Sequence, residues 1–313
     1  MVLDVTEVPW VSVSGYGAHI KASRRTLFVQ KRQSVEEYPL DQVKHLLVVG
    51  GHTIASSVIT RLVREGSCIS FFEPDGTPAG IIRPYGSEVQ DDLCKLQRET
   101  PRQRYAVSLA RGSLTSRLIV IERTEESIGS ALCYAGELEL MHNSLEEKAY
   151  LIKLDEIRRL HRLTSDMYYE ILARSQPPVL GFRRRTMKPQ TDPVNAMLSF
   201  GYALLYGACS VAVIGARLDP DYGFLHEGAG SLIQDLIEPL KAGMIDEVVS
   251  AIGRKTLHSL DYEVGSDRCL LSDDLMKSMI RTFYTTINAQ KVDEQVLAML
   301  TAITAKSEFK ARY

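Results

Sequence analysis

The sequence lacks the cysteine patterns that mark several common protein classes. Its 313 residues include five cysteines, an odd number, and no two of them have the Cys-x-x-Cys spacing of a zinc ribbon. We interpret them as reduced, mostly buried thiols, which predicts a cytoplasmic protein. The five are Cys68, Cys94, Cys133, Cys209 and Cys269.

The sequence also has little net charge. Its 37 lysines and arginines and 39 acidic residues leave a formal charge of -2. A globally basic surface is therefore excluded, and any binding of nucleic acid has to rely on local patches. The apolar fraction of 45% is enough for a real core, and the length suits one large domain or two ordinary ones.

Targeting and membrane segments are not evident. The first residues contain Asp4 and Glu7 and lack a basic start followed by an apolar run, so we predict no signal peptide. The longest apolar stretch, residues 194–218, contains polar residues such as Asn195 and Arg217. We interpret it as a buried helix of a soluble fold and predict no contact with a membrane.

The first part of the chain favours strands. Residues 10–82 contain several short β-rich runs separated by glycines, and residues 46–49 are wholly apolar, as in a central strand buried on both faces. The Asp75-Gly76 pair predicts a hairpin turn. The glycine-rich turns lack the spacing of a dinucleotide fingerprint and the lysine of a phosphate loop, so we interpret them as connections between strands.

From residue 91 onward the pattern becomes helical. Residues 103–123 and 146–173 have amphipathic spacing, and Asp192-Pro193 predicts a helix start with Asp192 as N-cap. The sequence therefore predicts an α+β protein with a small N-terminal β-rich domain and a larger all-α C-terminal domain. We place the first domain at 1–86, a linker at 84–92 and the second domain at 92–313.

A loop between two predicted helices concentrates positive charge. It carries four cations within six residues and no acid: Arg183, Arg184, Arg185 and Lys188. Such a cluster can hold a nucleic-acid backbone through its phosphates without reading base sequence. A merely solvated loop explains the composition equally well.

A second segment brings a histidine close to two carboxylates. Ser231 and Gln234 have the spacing of a capping box, which predicts that a helix begins with Ser231 as N-cap. Asp235 and Glu238 then share one face of that helix, shortly after His226. Together they would form a cation site of mixed nitrogen and oxygen ligands. The alternatives are a core histidine with its hydrogen bonds satisfied and a solvated acidic face.

Longer motifs carry a family resemblance. They are Arg183…Lys188-Pro189…Asp192-Pro-Val-Asn-Ala-Met-Leu-Ser-Phe-Gly-Tyr-Ala-Leu-Leu205, Leu218-Asp-Pro…Gly223-Phe-Leu-His226-Glu227 and Ser231-Leu…Asp235-Leu-Ile-Glu238. Together they resemble the CRISPR-associated adaptation integrase family (Cas-one), over about residues 10 to 305. The resemblance implies the two-domain fold above, with dimerisation through the N-terminal domain.

The resemblance also implies a set of metal ligands: a glutamate, a histidine and an acidic residue. His226 matches the histidine and Glu238 the acidic ligand. Asp235 is either an alternate ligand or a carboxylate that supports a ligand without touching the ion. The glutamate position, seven residues before Tyr168, is occupied by His161. Histidine binds magnesium poorly, so this departure favours manganese over magnesium as the divalent metal.

By the same resemblance the function is insertion of spacer DNA into a CRISPR array. A homodimer, with the small partner Cas-two, would act on double-stranded or branched DNA by direct attack of a 3′-hydroxyl on a phosphodiester. The metal ligands His161, His226 and Glu238 would be catalytic, and Lys241 would join the basic loop in binding DNA. Two alternatives stay open: a casposase-like transposon integrase and a non-catalytic DNA-binding subunit, the latter because of His161.

Overall fold

The described chain forms two compact units. The first consists of Met1–Glu99 and Gly207–Pro220, and the second of Thr100–Tyr206 and Asp221–Tyr313. A β-rich N-terminal region is followed by a mostly helical C-terminal part, which confirms the predicted fold class. The predicted bounds of the domains and the linker stay predictions. The computed structural model describes residues 9–31, 34–85, 92–147, 150, 153–187, 189–255 and 257–313.

Eight strands are found in the described residues of the first unit, in two four-stranded sheets ordered β1-β5-β7-β8 and β4-β3-β2-β6. Their bounds are β1 (Trp10–Ser14), β2 (His19–Ala22), β3 (Thr26–Gln30), β4 (Val35–Pro39), β5 (His45–Val49), β6 (Thr53–Ile54), β7 (Cys68–Phe72) and β8 (Pro78–Ile82).

Strand β5 is the centre of the first sheet. It lies between β1 and β7, runs parallel to both, and all five of its side chains are buried. This confirms the prediction for residues 46–49, since a strand covered on both faces reads as a continuous apolar run. The predicted hairpin is also present, because β7 and β8 pair antiparallel and Asp75 Oδ1 accepts a hydrogen bond from the Thr77 amide at 2.9 Å.

Helices dominate the rest of the chain. A π-helical turn (Ala242–Asp246) follows α7, and a short antiparallel pair, β9 (Tyr262–Val264) and β10 (Cys269–Leu271), was not predicted from the sequence. The helices are α1 (Ser56–Arg64), α2 (Asp92–Glu99), α3 (Arg102–Ile128), α4 (Glu137–Glu147), α5 (Leu154–Ala173), α6 (Pro193–Gly215), α7 (Ser231–Lys241), α8 (Glu247–Lys255), α9 (Asp273–Thr286) and α10 (Ala289–Ala305).

Helix α6 begins as its sequence predicts. Asp192 Oδ1 accepts a hydrogen bond from the Asn195 amide at 2.8 Å, which satisfies one of the free amides of the first turn. Among the described residues, α6 is the one helix that is long and apolar enough to cross a membrane, and 56% of its most apolar window is buried inside the protein. Length and composition of this kind also suit a core helix.

Helix α7 begins differently from the prediction. Its N-cap is Gly230, which has a positive φ of 68°, and no side chain caps the first turn. The predicted role of Ser231 as N-cap, with Gln234 in a capping box, is therefore wrong. The reason is that the Ser231 hydroxyl is used by the preceding loop: it accepts from the Gly223 amide at 2.8 Å and donates to the Asp221 carbonyl at 2.9 Å.

Gly201 allows the first half of α6 to pack closely in the second unit. A Cβ atom at this position would lie 2.5 Å from Ile245 Cγ2 and 2.9 Å from Phe283 Cζ. Both distances are far shorter than van der Waals contact, so only glycine fits without movement of the neighbours.

We therefore expect Gly201→Ala to lower the free energy of unfolding by about 1–3 kcal/mol, as overpacking does in a dense core. Urea denaturation monitored by circular dichroism measures the change. Gly243→Ala is the matched control, because a Cβ there would meet nothing within 4 Å. Equal stabilities of the two variants would contradict the close packing at Gly201.

Candidate metal centre

Asp235 organises the loop that carries His226. Its side chain is fully buried on α7, and its Oδ2 accepts hydrogen bonds from the amides of Phe224 and Leu225. Its Oδ1 accepts from the His226 amide and from His226 Nδ1, both at 2.8 Å. The carboxylate accepts the Nδ1 proton, and in the neutral imidazole this leaves the lone pair on the other ring nitrogen, Nε2.

Glu238, one turn further along α7, is a buried carboxylate surrounded by cations. Arg117 Nη2 on α3 donates to its Oε2 at 3.1 Å, Lys241 Nζ donates to its Oε1, and His161 Nε2 lies 3.5 Å from Oε2. Burial alone would raise the pKa of Glu238, but Lys241, His161 and Arg117 outweigh it and hold this pKa well below the ordinary value. Glu238 is therefore ionised although it is only 6% exposed.

Three predicted ligands come together. His161 on α5, His226 on the loop and Glu238 on α7 each offer one ligand atom, and these atoms lie within 4.8 Å of one another. The two imidazole rings are 6.1 Å apart between centroids and nearly perpendicular. His161 and Glu238 are buried, whereas the His226 side chain is 32% exposed, so the site is reached from the side of His226.

The donor set fits a divalent transition-metal ion. Two imidazole nitrogens and one carboxylate oxygen suit manganese, iron or zinc, whereas magnesium prefers oxygen ligands. Asp235 does not belong to the group of three, because both of its oxygens are taken by the loop. Its contact with His226 is that of a carboxylate orienting a ligand histidine.

A buried polar cluster continues from Arg117 behind the three ligands. The Arg117 guanidinium carbon lies 5.5 Å from the Tyr168 ring centroid and 6.0 Å from that of Tyr169. Asp246, in the π-helical turn, accepts hydrogen bonds from the hydroxyls of Tyr168 and Tyr202. Burial raises the pKa of Asp246 to about 6, against the opposing effects of Tyr202, Arg117 and Tyr168.

Sequence reasoning missed Arg117 and Asp246. Arg117 is only 2% exposed. It lies on the buried face of α3, at helical spacing between Leu114 and Ile121. A cation on an otherwise apolar face needs an acidic partner, so this spacing was a usable signal. It could not say that the partner is Glu238, which lies 121 positions away.

The predicted DNA-binding residues have different surroundings. Arg183 and Arg184 are exposed, while Arg185 is half-buried and donates to Asn195 Oδ1 and Ser199 Oγ, both at 2.8 Å. The Lys241 amine is bonded to Glu238. Lys188 lies outside the described residues.

Residues 11–285 match the family model described as CRISPR associated protein Cas1. The chain belongs to the Cas1 family. A putative CRISPR-associated endonuclease Cas1 from Methanospirillum hungatei is 38% identical over 298 residues, which cover 95% of this chain and 98% of that relative. The resemblance seen in the motifs is thereby confirmed.

Two solved structures share the fold. A casposase bound to integration product has a TM-score of 0.80 at 18% identity, and the match covers 96% of this chain and 97% of the casposase chain. A chain of a partial Cas6-RT-Cas1–Cas2 complex has a TM-score of 0.76 at 17% identity, with coverage of 98% and 99%. At these identities the likeness concerns the fold alone.

The raised pKa of Asp246 has a consequence for stability. Because the folded protein holds this proton more tightly than the unfolded chain, Asp246 contributes most below pH 4, and the contribution is lost as the pH rises through about 6. The shift corresponds to about 3 kcal/mol. We expect the stability of the wild type relative to Asp246→Asn to fall by about this amount between pH 4 and 7.

Urea denaturation in the presence of a chelator, at several pH values, measures this difference. The contribution of Glu238 has the opposite sign but is common to both proteins and cancels. Asp274→Asn, which changes an exposed carboxylate on α9, is the control and should leave the pH dependence of the wild type in place. A difference between wild type and Asp246→Asn that is flat with pH would contradict the burial argument.

Proposed function

We propose that this Cas1 chain is a metal-dependent DNA endonuclease and integrase that inserts spacer DNA into a CRISPR array. The observation that carries the proposal is the convergence of His161, His226 and Glu238 in a chain of this family. Relatives named CRISPR-associated endonuclease Cas1 support nuclease or integrase activity in general. The finer reaction, attack of a DNA 3′-hydroxyl on a phosphodiester, belongs to the proposal.

Each residue of the centre has a definite task in this proposal. His161, His226 and Glu238 hold the divalent ion, and Asp235 keeps His226 in the tautomer that can bind it. Arg117 keeps Glu238 ionised and in place. When bound, the ion acts as a Lewis acid that offsets charge developing on the phosphoryl oxygens.

Between manganese and magnesium, these ligands favour manganese. His161 supplies nitrogen where the family pattern has a carboxylate, so the ligand set carries one negative charge in place of two. Arg117 and Lys241 reduce the charge available to an ion further, since both are bonded to Glu238. A weakly bound ion with affinity for imidazole is therefore expected, and magnesium is the poorer choice.

DNA would be held outside the centre by the exposed Arg183 and Arg184, and by Lys241 if it leaves Glu238. Arg185 has a structural task as well, because it bonds to α6. Association as a homodimer through the β-rich region and with Cas2 is part of the proposal, and a related chain is found in a Cas6-RT-Cas1–Cas2 complex. The cytoplasm is the expected location.

A second candidate is a non-catalytic DNA-binding subunit of the adaptation complex. Two observations favour it: His161 stands where a carboxylate is expected, and two cations already neutralise Glu238. In this case the buried cluster would be a structural ion-pair network that holds α3, α5 and α7 together without an ion.

Strand transfer with manganese separates the two candidates. We expect the wild type to join a 3′-hydroxyl DNA end to a repeat-containing duplex, and His226→Ala to lose more than about 100-fold, since a lost ligand costs more than an outer-shell partner. His142→Ala, an exposed histidine on α4, is the matched control and should keep full activity. A wild type that binds branched DNA but transfers no strand would refute the enzyme and leave the second candidate.

His161 decides the choice of metal. We expect His161→Glu to raise the magnesium-supported rate by about 10-fold or more, because it supplies the oxygen ligand and negative charge that magnesium prefers. The rate is measured with magnesium and with manganese in the same assay, and His161→Gln is the control that supplies no charge. If His161→Glu lowers the rate with both ions, the histidine does not stand in for a carboxylate ligand.

A further inference from the structure

Two arginines converge on one exposed carboxylate next to His226. Arg158 Nη2 on α5 and Arg102 Nη1 at the start of α3 both donate to Glu227 Oε1, at 2.8 and 3.2 Å. The Glu227 side chain is 60% exposed, whereas those of Arg158 and Arg102 are 23% and 29% exposed. The carboxylate is therefore the most exposed member of this group, and the guanidinium groups are largely covered by the protein.

The backbone around His226 holds both arginines in place. Arg158 Nε donates to the Leu225 carbonyl at 2.7 Å, and Arg102 Nη2 donates to the His226 carbonyl at 3.4 Å. Arg102 also lies over the Tyr222 ring, 5.5 Å from its centroid. These contacts leave each arginine with one Nη nitrogen directed at Glu227 Oε1, so the two groups form a preorganised fork for an anionic oxygen.

The charges nearby are those of a site for a monoanion. Both guanidinium groups lie within hydrogen-bond distance of Glu227. Asp155 lies 3.8 Å from Arg158, and the Asp155 side chain is 98% exposed. Such exposed pairs stabilise a fold little, and the exposed carboxylate can leave at small cost.

We propose that Arg102 and Arg158 form a phosphate-binding site for DNA beside the metal centre, in which Glu227 occupies the place of a phosphodiester oxygen until DNA binds. A phosphodiester offers the same kind of anionic oxygen as the carboxylate and carries one charge. Because both arginines bind the backbone carbonyls of residues 225 and 226, the phosphate is held beside the loop that carries His226. This inference rests on the proposed function and names the part of the chain that positions the substrate there.

Metal-free DNA binding tests the site without relying on catalysis. Fluorescence anisotropy with a labelled branched DNA, in chelator and at several salt concentrations, gives the Kd and its salt dependence. We expect Glu227→Gln to tighten DNA binding about fivefold or more, since a DNA phosphate no longer has to displace a carboxylate from the two arginines. Glu247→Gln is the matched control: it removes the same charge from another Arg–Glu pair in the second unit, with Arg123 at 3.2 Å.

The arginine variants should act in the opposite direction. Arg158→Gln and Arg102→Gln are each expected to weaken binding and to reduce the slope of log Kd against log salt by about one, as for one lost phosphate contact. Arg158→Lys should keep the slope but weaken binding, because an ammonium lacks the fork geometry. In the double variant Arg158→Gln/Glu227→Gln, the gain from Glu227→Gln should shrink, since one of the two groups that it frees is gone.

The outcomes separate this inference from the function on which it rests. The phosphate site is overturned if Glu227→Gln and Glu247→Gln change DNA binding equally. It is also overturned if the arginine variants keep the wild-type circular dichroism spectrum and their salt slopes are unchanged. Strand transfer could then still proceed. If the predicted binding changes appear but the wild type transfers no strand, the phosphate site stands and the enzymatic part of the proposed function fails.

Discussion

The ionised, buried side chain of Glu238 is the constraint on which the centre depends. A bare carboxylate with this little exposure would be strongly unfavourable, so it requires cations and hydrogen-bond donors around it. Arg117 comes from α3, His161 from α5 and Lys241 from α7 itself. One carboxylate therefore ties three helices of the second unit together, and α3 packs against both of the others. Removing one member of such a group costs more than the group contributes as a whole.

The two acids of α7 have separate tasks because they lie one turn apart. Asp235 faces the loop, where its oxygens accept hydrogen bonds from three backbone amides and from the His226 ring. Glu238 faces α3 and α5. Asp235 thus sets the conformation of the loop and the orientation of His226, and it need not touch an ion to do so. The His226 ring, which is the most exposed of the three proposed ligands, is held by this buried carboxylate.

The proposed metal centre carries less negative charge than an oxygen-rich magnesium site. With His161 in place of a carboxylate, and with Arg117 and Lys241 on Glu238, the three ligands carry no surplus of negative charge. In the proposed centre an ion would gain its affinity from imidazole coordination more than from charge. In the proposed phosphate site, Arg102 and Arg158 would add positive charge on the accessible side once Glu227 has left them, which would suit an anionic substrate.

The sequence by itself determined the change from a β-rich first part to a helical second part, the buried strand β5, the start of α6 at Asp192 and the position of Asp235 and Glu238 on one helix shortly after His226. These features depend on local patterns of apolar residues, turns and caps, which short stretches of chain specify. It did not determine that Ser231 serves the loop, that Asp235 holds His226, or that Arg117 and Asp246 belong to the centre. Those outcomes depend on which buried polar groups meet across distant helices, and only the tertiary structure decided them, because a buried charge takes its partner from packing and not from its position in the chain.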